Sequence, residues 1–297
     1  MTHFRNKKIQ LLNLSIAFIF FIAFSAPIGA LANQKGSKSE VSLDSVWKAV
    51  LKKAEGELLL SLKLQKNEFK AGFWYETAKN YYQIQFYGEL LKNSRETKGH
   101  FDKAVKMADE GYDNDDGKTT QFIITQLKIG RAEIEDMVTE SESKLEQAKI
   151  ALESLMGKDY SGNIMVKIGG VLKPAEFSFN SWGDFYKENL DLFDEERSFV
   201  ENSLYENPKT GFKVRVQQAF IRVIEARKKM KNANKTKKSI RALMAMESSN
   251  YDLGLGEPVD LFNSFLLHSR NLGLSLDSIY NFNMAVAEWH RVTRKIP

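Results

Sequence analysis

Residues 118–156, KTTQFIITQLKIGRAEIEDMVTESESKLEQAKIALESLM, decide how the rest of the chain is read. Ile123, Leu127, Gly130, Ile134, Met137, Ser141, Leu145, Ala148, Leu152 and Leu155 recur at alternating intervals of three and four, with one extra step of four. That spacing predicts a long α-helix with a coiled-coil seam and a single stutter. The opposite side is rich in Glu, Lys and Ser, as a solvated face should be. Turn signals bound it at Asp113-Asn114-Asp115-Asp116-Gly117 and at Gly157. It therefore reads as one arm of an antiparallel helical hairpin. The acidic turn has the look of a calcium loop, but its glycine falls one position early and Ile124 stands where a bidentate Glu would be needed.

The pattern extends in both directions. Upstream, Ser42 offers an N-cap, and Leu43, Val46, Trp47, Val50, Leu51, Ala54 and Leu58 open a helical stretch that runs to about Asp113. Glycines at 56, 72, 88 and 99 weaken it, so a bend or break is expected near Ala71-Gly72. Its aromatic group of Trp74, Tyr75, Tyr81, Tyr82 and Phe86 reads as bundle packing, with a ligand-binding apolar pocket as the alternative. Downstream, Asn163–Phe177 is the only strand-like segment, enough for one small β-hairpin. Helices follow over Ser181–Glu206, Phe212–Leu253 and Val259 to about Arg294. Turns are expected at Asn207–Gly211 and Leu253–Pro258. Basic residues cluster between Arg227 and Arg241, most simply as a solvated helix face.

The first 32 residues have a charged start (Arg5, Lys7, Lys8), an apolar run from Leu11 to Phe24, and the small-residue site Ala30-Leu31-Ala32. They read as a secretory signal peptide, which places the chain outside the cytoplasm, in the periplasm, or in the outer membrane of a Gram-negative cell if it contains barrel strands. The absence of cysteine excludes a disulfide framework, a lipidated N-terminus and thiolate metal sites. A net charge of +5 on an exported chain argues against nucleic acid as a partner. Four scattered histidines, no H-E-x-x-H, no G-x-S-x-G and no phosphate loop leave no basis for an enzyme, a metal site or a cofactor. The expected organisation is 1–32 signal peptide, 33–42 flexible N-terminus, 43–157 first helical repeat, 158–180 linker and 181–297 second helical repeat.

The closing string from Tyr280 to Thr293, YNFNMAVAEWHRVT, has Phe282, Val286, Trp289 and Val292 on one helical face. It resembles the last helix of the TolC-like outer-membrane efflux proteins, Y-x-x-N-x-A-x-A-x-L-x-x-x-T-G. Tyr280, Asn283, Ala285, Ala287 and Thr293 match, Trp289 replaces Leu and Arg294 replaces Gly. Leu145–Gly157 is similar to the end of that family's first repeat. Laying Gly117 over Gly254 lays Gly157 over Arg294 without a gap, the mark of a duplication.

The family's hairpin tips, R-Y-x-x-G-x-x-x-x-x-D, are matched by Tyr251, Gly254 and Asp260, and the first repeat keeps Gly117. The resemblance implies an all-α fold of long antiparallel coiled-coil hairpins in two repeats. Its candidate tip contacts are Asp116, Gly117, Thr120, Tyr251, Gly254, Pro258 and Asp260. The implied partners are a periplasmic adaptor or inner-membrane transporter complex, and copies of the chain itself in a trimer. At Lys70–Gly72 and Asn207–Gly211, where the family inserts membrane-crossing strands, the sequence offers only turns. The expected protein is thus the helical part of an efflux or secretion component. The alternatives are a stand-alone periplasmic binding protein and a full channel subunit.

Overall fold

The computed structural model describes residues 42–58, 66–114, 119–157, 170–194, 208–253, 255 and 258–297. The expected signal peptide, residues 33–41, the core of the acidic turn at 115–118 and the first half of the strand-like segment lie outside them.

Seven helices account for most of the described chain, and no strand occurs among those residues. They are α1 (Leu43–Leu58), α2 (Lys66–Asp113), α3 (Gln121–Leu155), α4 (Trp182–Glu188), α5 (Asp191–Asp194), α6 (Pro208–Asp252) and α7 (Pro258–Thr293). The fold is all-α, as the seam spacing requires.

Each long helix is bounded by chemistry readable in the sequence. Ser42 caps α1, its Oγ accepting from the Ser45 amide at 3.3 Å. Thr120 does the same for α3 through the Ile123 amide, also at 3.3 Å. Pro208 and Pro258 begin α6 and α7, where a missing N–H costs nothing. Two helices end on a left-handed residue: Gly157 (φ 72°) after α3 and Arg294 (φ 57°) after α7.

The chain divides into two compact units that cut across the helices. The first comprises, among described residues, Tyr87–Lys144 and Ala233–Leu276; the second comprises Ser42–Phe86, Leu145–Asn232 and Asp277–Pro297.

In the first unit α2 and α3 run antiparallel. Arg95 pairs with Glu142, Lys98 with Glu135, Asp102 with Arg131 and Asp109 with Lys128, so one partner climbs as the other descends. Each pair is solvated and contributes under about 1 kcal/mol, so they set register more than stability. Stability comes from buried apolar side chains, among them the cluster of Phe101, Val105, Leu127 and Ile134 and the buried Ile124. Gly130 lets α3 meet α2 closely, because a Cβ there would stand 2.6 Å from Cε1 of the buried Phe101.

The second unit holds two larger cores. Val46, Trp47 and Val50 of α1 pack on Trp74, Ala78, Tyr81 and Ile84 of α2, with Ala148 and Leu152 of α3. Trp47 and Trp74 meet edge to face at 5.5 Å. The rings proposed for a ligand pocket are thus part of the packing: Trp74, Tyr81 and Phe86 are all buried. The other core gathers Phe185, Leu192, Phe212, Val216, Phe220, Val223, Phe282, Val286 and Trp289.

Residues 170–181 cross this second core as an extended strap without strand pairing. The fully buried Asn283 of α7 replaces a missing strand: its Oδ1 accepts from the Ala175 amide at 2.7 Å and its Nδ2 donates to the Lys173 carbonyl at 2.8 Å. Arg227 of α6 donates to the carbonyls of Phe177 and Phe179 and to Asn180 Oδ1. These two side chains pair part-buried backbone groups of the strap that have no strand partner. Phe177 and Phe179 then fill the space beside Trp289.

Three expectations need correction. The helix through Gly72 is unbroken, running from Lys66 to Asp113. One glycine costs about 1 kcal/mol in a helix, less than the burial of neighbouring Ala71, Trp74 and Ala78 returns. Lys209-Thr210-Gly211 is the first turn of α6 and not a loop, since Pro208 pre-sets the helical φ. The helix expected over Ser181–Glu206 is interrupted at Asn189, whose φ of −133° is not helical. Asn189 Nδ2 donates to the Phe185 carbonyl and its Oδ1 accepts from Lys295 Nζ at 2.7 Å, which holds the break. The remainder of that expected helix, 195–206, lies outside the described residues.

Candidate partner-binding surface

The first unit has an unusual distribution of polarity. On α7 the row Ser264, His268, Asn271 and Ser275 recurs at intervals of four and three, the spacing of an inner seam, and all four are buried. Ser269 beside them is also buried. The same row continued into the second unit is apolar, with Phe282, Val286 and Trp289. The inner face of α7 thus changes from polar to apolar along a single helix.

The charges that face this polar row come from α6, α2 and α3. Burial holds the His268 imidazole below its ordinary pKa, and Arg241 and Lys237 push it the same way. Burial also lowers Lys237, opposed by Glu89. Glu133 is pushed up by burial and drawn back by Arg270. Ser275 Oγ donates to Asn234 Oδ1 at 3.2 Å, fixing α7 against α6 in antiparallel register.

Large apolar side chains stand in solvent on the outside of the same unit. Phe122 and Ile129 lie seven residues apart on α3, Leu267 and Leu274 seven apart on α7, and Met246 seven before Leu253 at the end of α6. A heptad spacing keeps each pair on one stripe. At the turn between α6 and α7, Leu253 is 71% and Leu255 79% exposed, and Phe122 at the start of α3 is 67% exposed. Two backbone bonds hold the turn, from the Leu253 amide to the Ser249 carbonyl and from the Leu255 amide to the Asn250 carbonyl.

Of the sequence-proposed tip residues, Thr120 is exposed as the N-cap of α3 and Asp260 is exposed in the first turn of α7. Tyr251 belongs to the last turn of α6 and Pro258 begins α7. Asp116, Gly117 and Gly254 lie outside the described residues. Motif matching passed over Leu253, Leu255 and Phe122. Their signal was available: apolar residues in and beside turns, where the chain has no core to give them.

No described helix is long and apolar enough to cross a membrane. Among the described residues no three His, Asp or Glu side chains converge as a metal site would need.

No known family profile matches the sequence, and no curated protein does. Solved structures similar to it in fold include the following two. CusC, studied for conformational changes accompanying folding and transmembrane channel formation, superposes with a TM-score of 0.57 at 12% identity, over 86% of this chain and 88% of that one. A membrane protein from Pseudomonas aeruginosa gives a TM-score of 0.55 at 12% identity, over 97% of this chain and 84% of that one. The likeness to CusC shows a TolC-like fold for the present chain.

Proposed function

We propose that the protein is a helical component of an efflux or secretion assembly in the cell envelope. It acts mechanically: hairpins of the first unit pack side by side with helices of a periplasmic adaptor or of further copies of the chain. The turn at Leu253–Asp260 and the start of α3 near Thr120 are the contact ends. One observation carries this reading. The first unit keeps a polar seam inside and sets Phe122, Ile129, Met246, Leu253, Leu267 and Leu274 outside at helical spacing. An isolated bundle gains nothing from that arrangement, whereas neighbouring helices would bury each of those side chains for about 1.5–3 kcal/mol.

The likeness in fold to CusC supports an envelope role, and the N-terminal residues 1–32 support export. Lys70–Gly72 and Lys209–Gly211, at or beside the places where the family inserts crossing strands, lie inside α2 and α6 with no inserted residues. A pair of crossing strands takes roughly eighteen or more. On this reading the chain contributes helices to the assembly and relies on a partner for any membrane pore.

The test is complementation. A strain lacking the protein should accumulate members of a panel of fluorescent efflux substrates, and the wild-type chain should reverse this. The Leu253→Asp/Leu255→Asp variant should fold with an unchanged thermal melt and fail to complement. Full complementation by that variant, or no change in the panel on deletion, would refute the proposal.

A further inference from the structure

The charged side chains of α3 and α6 are sorted by face into those with partners and those without. On α3, Glu133 lies beside Arg270, while Glu135 and Glu142 pair with Lys98 and Arg95. Asp136 and Glu140 are exposed, and their side chains have no ion pair or hydrogen bond among the described residues. On α6, Arg227 is bound to the strap, Lys229 pairs with Glu225, and Lys237 lies near Glu89. Lys235 and Lys238 are exposed, and their side chains likewise have no partner among the described residues. Neither has a carboxylate three or four residues away on its own helix to offset it. The unpaired charge is thus acidic on the outside of α3 and basic on the outside of α6.

The first unit sets these two faces on opposite sides. Within it α2 pairs with α3 through Lys98 and Glu135, and α3 meets α7 at Glu133 and Arg270. Helix α7 bonds α6 through Ser275 and Asn234, and α6 meets α2 at Lys237 and Glu89. Helices α3 and α6 are then diagonal, and their outer faces point away from each other. Helix α7 lies beside Glu133 of α3 at Arg270 and shares a core with Ala148 of α3 at Ala287, so the two run in parallel. Helix α6, antiparallel to α7, is therefore antiparallel to α3. Both outer faces carry the same order of side chains, counted from the turn. Phe122 and Ile129 come first on α3, then Asp136 and Glu140. Leu253, Met246 and Leu243 come first on α6, then Lys238 and Lys235.

We propose that the first unit docks on a second copy of this chain, the outer face of α3 in one copy lying antiparallel on the outer face of α6 in the next. Heptad spacing sets the register. Phe122, Ile129 and Asp136 recur at sevens on α3, as Lys235, Ala242 and Ser249 do on α6. Ile129 then faces Ala242, beside Leu243 and Met246, and Asp136 faces Lys235. Phe122 faces Ser249, with Met246 and Leu253 one turn to either side. Apolar side chains meet apolar ones, and the unpaired acids meet the unpaired bases. The contact joins unlike faces, so it repeats head to tail and closes into a ring where the rotation allows. This inference rests on the assembly role proposed above and names the partner of that surface.

Charge exchange on the full chain tests it, read by sedimentation over a concentration series. The wild-type protein should self-associate, and less so as salt is raised. Asp136→Lys/Glu140→Lys and Lys235→Glu/Lys238→Glu should each weaken association about ten-fold or more, with unchanged thermal melts. Mixing the two variants should restore it, because each then offers the other an opposite charge on both faces. Lys103→Glu/Lys106→Glu, which reverses equal charge at exposed positions of α2, should leave association unchanged. The chain has no cysteine, so Asp136→Cys/Lys235→Cys reports the register without background. Mild oxidation should give a ladder of linked copies, and the out-of-register pair Asp136→Cys/Ala242→Cys should give none. A monomer at every concentration, or a mixture that stays dissociated, would overturn the proposal. Linked copies from a chain that fails to complement would refute the efflux role and leave this contact standing. Complementation without self-association would give the surface to a foreign helix and overturn the contact alone.

Discussion

Arg294 is the position where a single residue works against its backbone. It follows the last turn of α7 with φ 57°, the region in which a Cβ is unfavourable and glycine is at ease. Gly157 ends α3 in the same conformation with no such penalty. Replacing Arg294 by Gly should therefore stabilise the protein by about 1 kcal/mol, read as a higher urea midpoint at unchanged slope. The opposite expectation holds for Asn283. Its amide satisfies one donor and one acceptor of the strap, and Asn283→Ala leaves both without that partner in a part-buried setting. The cost should be about 2–4 kcal/mol, accompanied by faster proteolytic cleavage between residues 170 and 181. An Asn283→Ala chain with wild-type stability would show that the strap is held by its aromatic residues alone. Trp289, standing where Leu is usual in TolC-like proteins, fits the same account. Its indole meets Phe177 and Phe185 edge to face at 5.2 and 5.4 Å, contacts that Leu could not make.

At the scale of helices, the approach of α2 to α3 turns on Gly130. An alanine there gains about 1 kcal/mol in helix propensity. Its Cβ, however, would sit 2.6 Å from a ring that is only 4% exposed and has little room to move. Overpacking of this kind costs about 1–3 kcal/mol, so Gly130→Ala should lower the melting temperature, and an increase would mean that the ring yields freely. Helix α7 carries a pH dependence. His268 and His290 are both held below their ordinary pKa by burial, so the unfolded chain takes up protons first as pH falls. The stability present above the ordinary imidazole value is then lost as pH drops from about 7.5 toward the lowered folded values. Thermal melts across that range should show the loss, and His268→Gln should reduce it. Asp277, raised by burial, acts with the opposite sign at lower pH, regaining stability as it protonates.

These helices also show what could be read in advance. Every seam position of α3 from Ile123 to Leu155 is buried or half-buried, because a long amphipathic period leaves few alternatives. The strap could not be read that way. Gly170 to Phe177 has strand-like composition, yet its hydrogen-bond partners are two side chains more than forty residues distant. Nothing in a local pattern announces Asn283 or Arg227 as their source. The break at Asn189 was hidden for the same reason, since Lys295 at the far end of the chain holds it.

At the scale of the whole molecule, the distribution of apolar surface links the fold to its use. The second unit buries its aromatic residues in two continuous cores, as a self-sufficient body does. Among its described residues the first unit buries a cluster of Phe101, Val105, Leu127 and Ile134, with Leu90, Leu91, Ile124, Met244 and Leu276 buried elsewhere in it. It also has a polar inner row on α7 and apolar stripes facing outward. On the proposed reading, other helices cover those stripes. The most direct test is photocrosslinking in living cells from Phe122, Leu255 and Leu267, with Ile221, an exposed apolar residue of the second unit, as the control. The prediction is that the three first-unit positions give discrete adducts, identified by mass spectrometry as a helical-hairpin envelope protein or a second copy of the chain, and that Ile221 gives none of these. Adducts from Ile221 alone, or none from any first-unit position, would contradict the claim that these hairpins are an assembly surface.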